Sequence, residues 1–298
     1  MKKALSIMLT LAIAFTMGAY PAIAQEEEAA TTYLEPKALV IGNEDGELPG
    51  LDSALDSFSE VSPLDIEIGF TLASDYVWRG WLAGDGASFQ PYVTVSPDFE
   101  PLGDISFTYW ADLTSIDGGD DHLENDYVID YNVDFLDIAG LFGYEYDAEE
   151  SSYGFMKLID FNVDVGYIYY DFPAVADVDE QSQELYAGIT YNLPLSPSFF
   201  VYSDFDAGRG EWYEFGIAQD IVLGDVTVCT YATLNYNKGQ WGADDGFSTC
   251  DFGASIPIAI GTHMTLEPFI SYTKELENDG TGLVNDRFYG GVNYSIAF

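Results

Sequence analysis

Basic side chains are so scarce in this chain that each one raises the question of its partner. Acids outnumber lysines and arginines by 51 to 9, and two of the nine are Lys2 and Lys3 at the start. Arg79 and Arg287 stand near the ends of stretches that alternate apolar and polar residues. Asp75 lies just before the first, and Glu275 closes the stretch preceding the second. Counting the alternation puts Asp75, Arg79, Glu275 and Arg287 on one face at one height. At the mouth of a pore such a cluster selects solutes by charge. In a seam between strands it is an ion-pair network instead, because buried charges need partners.

Tyr92, Trp110, Tyr170, Tyr186, Tyr231, Phe269 and Tyr289 share that face. In an open lumen they would offer a stacking path to sugars or nucleoside-like solutes. In a closed one they would fill an interior that something must fill. Acidic loop segments form a third group: Asp117-Gly118-Gly119-Asp120-Asp121, Asp177-Val178-Asp179-Glu180 and Asp244-Asp245. Oxygen-rich loops with glycine could associate loosely with Ca²⁺ or Mg²⁺. None has the spacing of a dedicated calcium loop, and solvated negative loops are the plainer reading. No resident cofactor is expected.

Catalysis is not expected either. His122 and His263 have neither ligand nor triad company, and carboxylate pairs are too numerous to inform. No glycine-rich phosphate loop joins a strand to a helix. Cys229 and Cys250, the only cysteines, could bridge in an oxidising compartment. Parity, however, turns Cys229 inward and Cys250 outward, which a disulfide does not tolerate without a bulge.

The elements that must position these residues are strands. In 64–72 the even positions are apolar and the odd ones polar or small, and the same period recurs to Phe298. Period two places successive side chains on opposite faces. The pattern divides into about fourteen strands, near 66–80, 86–96, 103–112, 123–134, 137–147, 152–158, 162–171, 181–193, 197–206, 211–221, 224–236, 246–256, 262–275 and 284–298. If 137–158 is an irregular excursion, the number falls to twelve.

Before the strands, Lys2-Lys3, an apolar run from Ala4 and the small residues of Ala22-Ile23-Ala24 read as an export signal over 1–24. An acidic leader, 25–62, follows; it is expected to be mostly flexible, with the Leu51, Leu55, Phe58 spacing suiting one short helix. No later segment has the eighteen or so apolar residues of a spanning helix. Loss of the signal removes two lysines and no acids from a net charge already at −42. Such a field excludes nucleic acid as a partner.

A soluble sandwich also alternates, but three features favour a closed antiparallel barrel in an outer membrane, over 63–298. Short joints near 96–103, 135–137, 193–197, 222–224 and 257–261 alternate with longer acidic ones. Aromatics crowd strand ends, and Phe298 closes the chain. Asp65, Glu67, Asp104, Asp130, Asp164, Glu184 and Glu267 fall on the face opposite the apolar one, where a dry core would penalise them. Closure follows, because an open edge in hydrocarbon strands backbone groups without partners. Pro91 and Pro268, on the lipid face, call for a bulge each.

The segment Gly69-Phe70-Thr71-Leu72-Ala73-Ser74-Asp75-Tyr76-Val77-Trp78-Arg79-Gly80 resembles the opening of a family of conserved hypothetical proteobacterial outer-membrane proteins. Val165-Gly166-Tyr167-Ile168-Tyr169-Tyr170 and the terminal Phe298 are similar to further features of it. The resemblance covers 64–298. It implies contact with membrane lipid and with the outer-membrane insertion machinery, and it supplies no activity. The leading expectation is therefore a passive channel for small polar or cationic solutes, both termini periplasmic. A non-transporting structural or surface-interaction barrel with a plugged lumen is its rival.

Overall fold

A computed structural model of the chain describes residues 39–41, 48, 50–52, 55–56, 64–97, 103–113, 124–141, 160–173, 181–277, 280, 282 and 284–298. Twelve antiparallel strands close on themselves. In chain order the wall consists of β2 (Leu64–Ala73), β5 (Ser88–Pro97), β6 (Asp104–Asp112), β7 (Glu124–Asp134), β8 (Phe161–Asp171) and β9 (Gln181–Tyr191). It continues through β10 (Ser198–Asp204), β11 (Gly210–Leu223), β12 (Val226–Lys238), β13 (Gly246–Ser255), β15 (Met264–Glu275) and β16 (Arg287–Ala297). Each pairs with its chain neighbours, and β16 pairs with both β15 and β2, which closes the ring. The two bonds exchanged by Ile66 and Phe298, at 2.8 and 3.0 Å, fasten the seam at the end that carries both termini.

Alternation sorts the wall into two faces. Outside lies an exposed apolar belt, with Ile68, Phe107, Ile129, Val165, Leu185, Phe215, Phe252 and Ile270 all facing away from the protein. Inside, Glu67, Thr94, Ser106, Asp130, Glu184, Glu214, Thr249 and Glu267 are buried. A soluble protein reverses this arrangement, since exposed apolar area carries a cost of about 25 cal/mol per Å² in water. In lipid that cost vanishes, and closure spares every wall strand an unpaired edge.

The structure corrects the sequence reading in four places. Residues 137–141 form no wall strand: Phe135–Leu141 is a short helix, β7 pairs directly with β8, and the rest of the strand expected over 137–147 lies outside the described residues. The expected strand at 152–158 lies outside the described residues. Consequently the 135–160 connection, expected to be short, is a long one at the end bearing the termini, and strict loop alternation fails there. Strand one does not reach residue 80; the wall strand stops at Ala73. β3 (Tyr76–Trp78) and β4 (Trp81–Gly84) form a separate hairpin. No change of register marks Pro91 or Pro268; the shift lies between Asn235 and Tyr236 on β12. The continuous β5–β6 ladder covers Tyr92–Val95, and past Pro91 the Leu113 amide donates to the Phe89 carbonyl at 3.0 Å in the same register, so Pro91 interrupts the ladder without a bulge.

Cys229 and Cys250 are free. Cys229 stands opposite Ser255 and Cys250 opposite Leu234, several rungs away and on the other face, so no bridge can span them. Parts of the acidic leader rest on the termini end. β1 (Leu39–Ile41) pairs in parallel with β14 (Ile258–Ile260), an extension beside β15. Asp52 accepts bonds from the Leu48 and Thr262 amides, and the Leu48 donor holds its carboxyl below the usual range. His263 contacts the Ala297 carbonyl through Nδ1 and Asp56 through Nε2.

Candidate functional site: a hairpin stopper in the lumen

The hairpin grows from the loop end of β2 and turns into the barrel. Its strands pair Trp78 with Trp81, leaving Arg79 and Gly80 as a two-residue turn. Both have positive φ, +50° and +79°, as a type I′ turn requires. Gly80 is needed twice over: a Cβ there would sit 2.4 Å from Thr249 Cγ2 on β13. Tyr76 and Val77 are buried, and Tyr76 packs on the lumenal Trp110 with ring centroids 5.4 Å apart.

Arg79 is the anchor. Its guanidinium makes a two-pronged bond to Glu184 on β9, with Nη1–Oε2 at 2.8 Å and Nη2–Oε1 at 2.7 Å. Nη1 also donates to Gln240 Oε1 at 2.8 Å, and Gln240 Nε2 donates to Glu184 Oε2 at 2.6 Å. Tyr170 adds its hydroxyl to the other Glu184 oxygen at 3.1 Å. The carboxylate thus has every lone-pair direction occupied, and the side chains of the pair are only 7% and 0% exposed. Rings of Trp78 and Tyr202 lie 4.6 and 4.4 Å from the guanidinium carbon, with Trp212 at 5.6 Å. Arginine suits this cage because its planar, weakly hydrated cation both forks onto a carboxylate and stacks on rings. Gln240 reaches the site because the 240–242 loop folds inward; its backbone N–H donates to Asn237 Oδ1 at 2.8 Å.

Elsewhere in the lumen, several buried acids have a hydroxyl donor. Tyr92 serves Glu67, Ser88 serves Asp112, Tyr186 serves Asp130, Ser182 serves Asp204 and Ser255 serves Glu267. Such bonds are what make a buried carboxylate tolerable. The rings also lie across the wall. Gly166 and Gly253 stand opposite Tyr186 and Tyr231, and a side chain at either glycine would collide with the ring.

The anticipated mouth cluster divides. Arg287 meets Asp75 at 3.2 Å near the loop end, as the parity count expects. Arg79 leaves that pair for Glu184 because the chain turns inward after Ala73. Glu275 receives no basic partner in the described contacts; its amide donates to Asp286, which Lys274 grips at 2.6 Å. That ammonium lowers the Asp286 carboxyl below its usual range. Of the seven aromatics, Trp110, Tyr170, Tyr186 and Tyr289 are buried, and Tyr92, Tyr231 and Phe269 are half-buried inside the wall. Trp78, Tyr202, Trp212 and Gln240 were not singled out. Trp212 could have been, by parity; Gln240 had no signal beyond an aromatic neighbour in an acidic loop. The acidic segments at 117–121 and 177–180, and His122, lie outside the described residues. Among the described residues, no group of three or more His, Cys, Asp and Glu is placed to hold a metal.

No protein-family model matches the chain, and no curated protein matches it. Solved structures overlap it distantly. An outer-membrane channel from Pseudomonas putida F1 shares 8% identity with a TM-score of 0.46, over 79% of this chain and 94% of that one. The KdgM porin shares 10% at 0.43, over 78% and 99%. The translocator domain of the autotransporter NalP from Neisseria meningitidis shares 11% at 0.43, over 84% and 95%. At such overlaps the likeness decides nothing about what this chain does.

Proposed function

We propose that the protein is an outer-membrane barrel, termini towards the periplasm, whose lumen admits small cations or neutral polar solutes only when its own hairpin withdraws. The belt of exposed apolar side chains supports residence in lipid. The acidic interior supports cation preference, since it raises the local concentration of positive solutes and repels anions. One observation carries the gating half of the reading: Arg79, at the hairpin tip, is clamped by Glu184 across the lumen. An open pore would leave those side chains wet.

Planar-bilayer recording of the refolded protein tests this. The wild type should pass small or rare currents. Arg79→Ala, or removal of 76–84, should raise conductance several-fold, with cations preferred under a salt gradient. Anion preference in the opened variants would end the channel reading. Silence from every variant would favour a non-transporting barrel, a reading that draws on the burial of Thr94, Glu184 and Thr249 around the stopper.

A further inference from the structure

Between the hairpin tip and the wall lies a cavity of about 20 Å³, lined by Gly80, Glu214, Thr233, Asn235, Asp251 and Thr273 among others. That is room for a single water-sized occupant. Two lining oxygens have no protein hydrogen-bond partner, Asn235 Oδ1 and Asp251 Oδ1, and beside them stands the Thr273 hydroxyl, which interacts with the Asp251 carboxylate and with Tyr289. Asn235 and Thr273 are each only 1% exposed. Strand register explains the convergence, because Thr233 faces Asp251 and Asp251 faces Thr273, while Glu214 faces Asn235.

The Asn235 amide is oriented by its neighbours. Its nitrogen donates to Asp251 Oδ2 at 2.6 Å, Thr249 Oγ1 at 2.9 Å and Thr233 Oγ1 at 3.2 Å. Turning the amide over would lose these bonds, so Oδ1 must face away from them. Asp251 Oδ2 is likewise occupied by Asn235 and by Thr249 at 3.1 Å. What remains is one carboxylate oxygen, one amide oxygen and one hydroxyl in an acidic surrounding. The guanidinium of Arg79, the basic residue lining the cavity, is committed to Glu184.

We propose that this cavity binds one small monovalent metal cation, held by Asp251, Asn235 and Thr273. Hard oxygen donors without nitrogen or sulfur exclude a soft metal. A calcium ion takes six to eight oxygens, usually with several carboxylates, and three convergent side-chain oxygens around a water-sized space supply far fewer. A neutral water would bond to these oxygens, but an ionised Asp251 would then stay buried without a counter-charge, which is costly. The site deepens the reading of a cation-favouring lumen and rests on it for its place in permeation: it is where an ion would pause beneath the stopper.

Thallous ion, a heavy stand-in for an alkali cation, supplies the test. Crystals of the full refolded protein grown with Tl⁺ should show one anomalous peak beside Asp251 and Asn235, absent in Asp251→Asn. Independently, the wild type should unfold at a higher temperature in NaCl than in N-methylglucamine chloride of equal ionic strength. Wild-type crystals with ordered water and no Tl⁺ in the cavity would overturn the proposal, as would equal unfolding temperatures or displacement of Tl⁺ by Ca²⁺ alone. Since neither readout needs current, a Tl⁺ peak in a barrel that lacks cation preference would keep the site and remove the channel reading.

Discussion

Residues 64–73 and 76–84 are adjacent in the chain, both extended and both rich in aromatic and apolar side chains, yet they end in different surroundings. In β2, alternation separates an outer face from a lumenal one, with Ile68 exposed and Glu67 buried. In the hairpin both faces are inside the ring: Tyr76 and Val77 are consecutive and both buried. Period two therefore reports that a segment has two faces. What each face touches is a separate matter, decided by neighbours far away in sequence.

Removing the anchor should have the largest effect on the hairpin. Glu184→Ala leaves the Arg79 guanidinium buried without a counter-charge and should cost about 3–5 kcal/mol, read by urea unfolding in lipid vesicles. Replacing both partners, as in Arg79→Met with Glu184→Leu, should cost much less. A loss under about 1 kcal/mol for the single variant would mean that the hairpin is not anchored there. The wall should respond to charge on its other face. Ile129→Arg, on the exposed side of β7, should lose about 2–4 kcal/mol in vesicles if that face meets the bilayer midplane.

Smaller effects discriminate more finely. Gly80→Ala forces a Cβ onto Thr249 at positive φ and should destabilise by at least about 1 kcal/mol; Thr249→Ser, lacking that methyl, should restore part of the loss. The Arg287–Asp75 pair is half-open to solvent, with side chains 28% and 14% exposed. Neutralising it with Arg287→Gln should cost below about 1 kcal/mol. A much larger loss would show that this pair, rather than the hairpin anchor, secures the barrel.

Much of the wall was legible because its determinants are local. The strands at 103–112, 123–134 and 162–171 fall within a residue or two of β6, β7 and β8, since each side chain declares its face by polarity. The lumenal aromatics followed from the same count. The candidate site was legible only in part: Asp75 with Arg287 came from parity, whereas Arg79 with Glu184 did not. Nothing in Trp78-Arg79-Gly80-Trp81 distinguishes a strand end from a turn beyond the glycine itself. Helix 135–141 was missed because its apolar residues also suit a strand of that length.

The amino-acid order by itself determined an extended chain with one apolar and one acidic face, and hence a ring, because hydrocarbon accepts the first face and no unpaired backbone. Tertiary structure alone decided that the ring has twelve strands, that the chain after Ala73 turns inward, and that Arg79 finds its carboxylate on β9. The physical reason is range. Polarity acts residue by residue along a strand, but an ion pair across a lumen depends on where closure brings distant strands, which no local pattern records.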